Sequence, residues 1–93
     1  MAVQNVKHYT IRVTGKVQGV SFRANTQRVA EELDLNGWVT NEPDGSVRIE
    51  VEGPVEGLRE FLEFCKTGPE LAQVSSVNYQ EAPLNNFISF EVI

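Results

Sequence analysis

HYTIRVTGKVQGVSFR, residues 8–23, holds a strand, a loop and the start of a helix in that order, and this order decides the fold. Tyr9, Ile11 and Val13 alternate with His8, Thr10, Arg12 and Thr14, the period of a half-buried strand from His8 to Thr14. Gly15 to Ser21 is a glycine-containing loop. Beyond it Phe22, Thr26, Val29, Ala30 and Leu33 recur at helical spacing, which predicts a helix from about Ser21 to Asp34. Asn36-Gly37 is the expected stop, because either residue tolerates the left-handed backbone that ends many helices.

Outward from this stretch the elements follow without linkers, repeats or low-complexity runs. Trp38 to Asn41 reads as a second strand, Pro43-Asp44-Gly45 as a turn, and Val47, Ile49 and Val51 as the alternating face of a third strand, together a hairpin. Gly53-Pro54 opens a second helix with Val55, Leu58, Leu62 and Cys65 as its apolar stripe, and Gly68-Pro69 closes it. Val74 to Gln80 and Phe87 to Ile93 are the fourth and fifth strands, the last with Ile88, Phe90 and Val92 on one face; Ala82-Pro83-Leu84-Asn85-Asn86 joins them.

The resulting order, βαββαβ with a short terminal strand, predicts an α+β, ferredoxin-like split βαβ fold. An antiparallel sheet would carry both helices on one face, in a single domain over residues 1–93. Strand one, helix one and strand two form a crossover, so strands one and two finish at the same end of the sheet. Gly15 to Phe22 and Asn41 are thereby expected at that end, with Arg23 pointing into it.

Composition narrows the function. Hydrophobic residues at 41% and charged ones at 23% over 93 residues suit one globular core and exclude a disordered or fibrous chain. Net charge is −5 and the eight Lys and Arg are spread singly, so there is no basic stripe for nucleic acid. An acidic protein that binds phosphate must build a local positive site against its own field. The single Cys65 forms no internal disulfide or CxxC pair, which points to a reducing compartment. MAVQNVKHYT lacks the apolar stretch of a signal peptide and no run approaches the ~20 residues of a membrane span, so a cytoplasmic protein without membrane contact is expected.

A glycine-bearing loop entering a helix is an anion site, since backbone N–H groups converge there and the helix dipole adds about half a positive charge. Gln18, Gly19, Val20, Ser21 and Phe22 form such a cradle, and Arg23 adds a guanidinium able to hold phosphate through two parallel hydrogen bonds. On the loop pattern alone the plainer reading is favoured: glycines that turn the chain and a solvated Arg23.

The wording of the loop shifts that balance. Gly15-Lys16-Val17-Gln18-Gly19-Val20-Ser21-Phe22-Arg23 resembles the acylphosphatase signature GxVQGVxFR, and Gly37-Trp38-Val39-Thr40-Asn41-Glu42-Pro43-Asp44-Gly45-Ser46-Val47 through Gly53 resembles that family's second signature. The resemblance covers nearly the whole chain. It implies hydrolysis of acyl phosphates to a carboxylate and inorganic phosphate with no cofactor and no metal. It places the catalytic pair on Arg23 and Asn41 and the phosphate cradle on Gln18 to Phe22. Ser21, where the family often has glycine, and Thr40, where longer polar residues are common, are mild departures.

The expected partner is a small acyl phosphate, with inorganic phosphate as product inhibitor, and the chain is expected to work as a monomer. Asn41 has no basic group but can accept from and orient a water. The terminal strand can reach the site edge and bring its carboxylate near Arg23.

Other residues read more plainly. His8 belongs to the exposed face of strand one, Glu50 and Glu52 to a solvated sheet face, Asp44 to a turn, Cys65 and Phe22 to the core. The competing function is a ferredoxin-like regulatory or anion-binding module without turnover, and a third reading is an acylphosphatase-like module descended from a larger maturation enzyme. RNA binding is disfavoured because VRIEV, residues 47–51, lacks base-stacking aromatics, and a metal chaperone because there is no CxxC.

Overall fold

The computed structural model describes residues 5–93; of the stretch read for a leader, residues 1–4 lie outside the described residues. The elements are β1 (Val6–Lys16), α1 (Phe22–Glu32), β2 (Asn36–Asn41), β3 (Val47–Pro54), α2 (Val55–Thr67), β4 (Gln73–Ala82) and β5 (Phe90–Val92). The sheet order is β4-β1-β3-β2-β5. Four strands pair antiparallel, as the ferredoxin-like reading requires, while β5 joins β2 in parallel, so the five-stranded sheet is mixed rather than antiparallel throughout.

Alternation along the strands builds the core. Ile11, Val13, Val39, Val47, Ile49 and Val51 are fully buried together with Phe22 and Ala30 of α1 and Leu58, Phe61 and Cys65 of α2, in one cluster between the sheet and both helices. Phe61 joins the expected stripe of α2, while Val55 is only half-buried. Burial pushes the Cys65 thiol up to about 12, so it is an inert core residue. The pairing of β1 with β4 shifts register between Thr14 and Gly15 and continues through Lys16, where the loop begins.

Helix α1 ends two residues before the expected Asp34. The left-handed residue is Asp34 itself, at φ 57°, with Asp34 N–H donating to Glu31 O at 3.2 Å and Leu35 N–H to Ala30 O at 2.8 Å. These two bonds make a Schellman motif, and Asn36 is already the first residue of β2.

The fifth strand is shorter than Phe87 to Ile93. Asn86 adopts φ 59°, and the N–H groups of Asn85 and Phe87 donate to the Glu52 carboxylate at 2.6 and 2.7 Å, so this segment bonds to a side chain instead of a ladder. Of Ile88, Phe90 and Val92, expected on one face, only Phe90 is buried, at 3%, while Val92 is 40% and Ile88 94% exposed.

His8, Glu50 and Glu52 are not surface residues. His8 is 1% exposed and each glutamate 6%, because the segment before β5 folds over their end of the sheet and sets Phe87 5.8 Å from the imidazole. A period-2 pattern marks a face as polar; only the covering segment makes it buried.

Candidate active site

The loop after β1 is pinned by its apolar residues. Val17 and Phe22 are buried at 1% and Val20 at 9%, with the Phe22 ring tilted against Phe64 of α2 at 5.9 Å between centroids. Between these anchors the backbone turns through left-handed conformations at Gly19, φ 74°, and Ser21, φ 59°. Glycine takes this conformation freely; at Ser21 it stores strain of about 1 kcal/mol. Alternating anchors and reversals of this kind aim successive N–H groups at one point.

Ser21 is the N-cap of α1 but its side chain makes no capping bond, and the first turn carries no acidic residue. Leading N–H groups of the helix are thus left without a side-chain acceptor, and the dipole's positive end is not neutralised. Asn25 instead fastens the Ser21 carbonyl, through its own N–H at 3.1 Å and its Nδ2 at 2.8 Å.

Arg23, on the first turn of α1, donates from Nη1 to the main-chain oxygen of Ile93 at 3.1 Å, and Thr40 Oγ1 donates to the same oxygen at 3.1 Å, so the terminal strand reaches the site edge beside Arg23 as expected. No Asp or Glu carboxylate among the described residues pairs with Arg23. Asn41, the last residue of β2, keeps its Oδ1 buried with no hydrogen-bond donor from the protein. A cavity of about 230 Å³ unites them, lined by Gly19, Ser21, Phe22, Arg23, Gln27, Asn41 and Val92 among others.

Gln18 behaves differently from its neighbours in the expected cradle. Its Nε2 donates to Glu42 O and to Ser46 O, both at 2.9 Å, so its side chain belongs to the β2–β3 turn and only its main chain remains for the cradle. Asp44 is the turn former expected: Oδ1 accepts from Ser46 N at 2.9 Å and Ser46 Oγ at 2.6 Å, and these bonds hold its carboxyl below the usual range. Gln27 and Val92 were not singled out by sequence. Gln27 stands four residues after Arg23, on the same helix face, and that spacing is the signal that marks it. Val92 enters only through the parallel pairing of β5, which no local pattern announces.

A larger cavity of about 440 Å³ lies by the β2–β3 turn, lined by Thr10, Arg12, Asp44 and Arg48. Both its guanidiniums are already paired, Arg12 with Asp44 and Arg48 with Glu50 at 3.0 Å, and Arg48 also stacks 5.3 Å from the Trp38 ring. The smaller cavity, whose arginine pairs with no Asp or Glu among the described residues and which lies at the start of α1, is the better anion site.

The chain matches the acylphosphatase family model over residues 9–92. It is 50% identical to an acylphosphatase of Salinibacter ruber over 72 residues, 77% of this chain and 76% of that one. Among solved structures, an acylphosphatase from Coxiella burnetii superposes with a TM-score of 0.94 at 36% identity, covering 100% of both chains. The acylphosphatase from Bacillus subtilis gives 0.91 at 37% identity over 96% of this chain and 99% of that one. Fold, loop and sequence therefore agree, and the chain belongs to the acylphosphatase family.

Proposed function

We propose that this protein hydrolyses acyl phosphates, with the phosphate held by the backbone of residues 18–22 and by Arg23, and the attacking water oriented by Asn41. The observation that supports the roles is that Asn41, Arg23 and the loop line one cavity, and that the Asn41 Oδ1 receives no hydrogen bond from the described residues. A buried acceptor left without a donor costs about 1–3 kcal/mol, which a fold tolerates where a ligand supplies the donor.

The Asn41 carboxamide accepts a hydrogen bond from the water and takes no proton, leaving an oxygen lone pair to face phosphorus. The water oxygen attacks in line, the bond from phosphorus to the acyl oxygen breaks with its electrons passing to the departing carboxylate, and the water's proton passes to a phosphoryl oxygen. Such a loose transition state needs positioning and charge stabilisation, which backbone N–H groups and one arginine supply without a strong protein base. Free phosphate fits the same cradle and so inhibits as product.

Cradle and Asn41 both come from one chain, which supports a monomeric working unit formed by residues 1–93 as a single domain. Among the described residues no helix is long and apolar enough to cross a membrane. The lone, buried and free Cys65 supports a reducing, cytoplasmic setting, and the net charge of −5 with singly spread Lys and Arg speaks against a nucleic-acid partner. Incubation of the purified protein with a synthetic aryl acyl phosphate in the presence of a chelator tests the reading: release of phosphate above background is expected, and its absence refutes the reading.

A further inference from the structure

We propose that Gln18 is a positioning residue that sets Asn41 against the phosphate cradle, an inference that rests on the reading of Asn41 as the water holder. Asn41 pairs with Val47 as the last register position of the β2–β3 ladder. One step beyond that pair, the Glu42 N–H donates to the Ser46 carbonyl at 2.8 Å. Gln18 Nε2 donates to the carbonyls of these same two residues, each at 2.9 Å. A single carboxamide from the loop thus grips both arms of the hairpin immediately after Asn41.

The grip is firm at its far end. Ser46 is 3% exposed, and both its N–H and its hydroxyl are held by Asp44 Oδ1. At its near end Gln18 lies between buried Val17 and Gly19 of the cavity wall. Among the described residues no other direct hydrogen bond runs from the 17–23 loop to residues 42–47. Both Nε2 hydrogens are used, and Oε1 is an acceptor that a phosphate oxygen repels, so the side chain has nothing to offer the anion itself. Its effect reaches the reaction through the distance between the cradle and Asn41, where a displacement near 1 Å is worth up to ~10²-fold in rate.

The test is a double-mutant cycle of Gln18→Met, which keeps the shape and removes the donors, with Asn41→Ala. Hydrolysis of an aryl acyl phosphate and inhibition by inorganic phosphate are measured well below the melting temperature of each variant. Gln18→Met is expected to lower kcat about 10- to 100-fold with the phosphate inhibition constant within about threefold of the parent. In the Asn41→Ala background the same substitution is expected to change the residual kcat by less than about threefold, because the group it positions is gone.

A kcat within threefold of the parent, a matching loss of phosphate affinity, or full additivity in the cycle each overturns the proposal. If Gln18→Met does not fold, Gln18→Asn, whose amide falls one methylene short of the two carbonyls, takes its place with the same expectations. Failure of the unsubstituted protein to hydrolyse the substrate would instead refute the proposed function, so the two are told apart.

Discussion

His8 Nδ1 lies 2.8 Å from Glu52 Oε2, joining β1 to β3 beneath the segment that leads into β5. The other ring nitrogen, Nε2, lies 2.6 Å from Glu50 Oε1. An ionised carboxylate oxygen only accepts, so this geometry suits an imidazolium whose two ring nitrogens both donate. Each glutamate is further satisfied: Glu50 by Thr10 Oγ1 at 2.8 Å and Arg48 Nε at 3.1 Å, Glu52 by the Asn85 and Phe87 N–H groups. This cluster fastens the start of the path to β5, whose far end presents the Ile93 main-chain oxygen to Arg23.

The cluster makes stability depend on pH at both ends of the range. Burial lowers the His8 pKa, but Glu50 and Glu52 outweigh it and the value stands above the usual 6.5. Its contribution is full below 6.5 and is lost as pH rises through the raised value. For Glu52 burial raises the pKa, but the Asn85 N–H, His8 and the Phe87 N–H outweigh it and hold it below the usual 4.5. Its contribution is full above 4.5 and is lost as pH falls through the lowered value. Melting temperature against pH is therefore expected to show a plateau between these limits. His8→Gln is expected to remove the alkaline decline and, by taking the cation from between two buried carboxylates, to cost about 3 kcal/mol near neutrality. An alkaline decline unchanged in His8→Gln would contradict this assignment.

Arg23 and Asn41 are expected to fail in different ways. Arg23→Ala removes charge-assisted hydrogen bonds worth about 1.5–3 kcal/mol each and is expected to weaken substrate and phosphate binding alike by roughly 10- to 150-fold. Asn41→Ala is expected to lower kcat by about 10²- to 10³-fold with phosphate inhibition preserved. Steady-state kinetics with phosphate as inhibitor separates them, and equal loss of phosphate affinity in both would show that the roles are not divided.

Asn41→Asp keeps the side chain's size but places a carboxylate at the phosphate. At ~4 Å and an effective dielectric near 20 the repulsion is about 4 kcal/mol. Activity near that of the parent in this variant would place Asn41 away from the phosphate.

Asp34→Gly is expected to stabilise the protein. Asp34 holds φ 57° at the end of α1, and its carboxylate sits at the negative end of the helix dipole. Glycine relieves both, against a larger entropy in the unfolded chain, for a net gain of about 0.5–1 kcal/mol. Thermal melting should rise by roughly 2–8 °C with kcat unchanged. A lower melting temperature would show that the Asp34 side chain is itself stabilising.

Gly37→Ala is expected to be severe. Gly37 adopts φ 148° within β2, and a Cβ there would run into the Glu50 carbonyl of β3. Strain and displacement of the β2–β3 ladder should cost at least about 2 kcal/mol, lowering the melting temperature by roughly 8 °C or more. Calorimetry that finds the variant as stable as the parent would show that the two strands can separate locally without loss.

The order of elements, the core faces of β1, β3 and α2, the Asp44 turn and the meeting of Arg23 with Asn41 in one cavity were all legible in the residues. Each rests on spacing within about ten residues or on the handedness of one crossover. His8, Glu50 and Glu52 were misread because their pattern is that of a solvated face, and the cover that buries them comes from residues 85–87. Asn36-Gly37 was misread as the helix stop because Asp34, a residue that also tolerates αL, takes that role two positions earlier.

Neighbours along the chain dictate the periods of strands and helices, the residues able to turn, and a loop worded like the family's first signature. Tertiary structure alone decided the parallel addition of β5 beside β2, the burial of the His8 ion cluster and the turn of Gln18 toward Glu42 and Ser46. Those features join residues more than 20 positions apart. A side chain's donors are satisfied by whatever the folded chain brings within 3 Å, and local pattern carries no record of that partner.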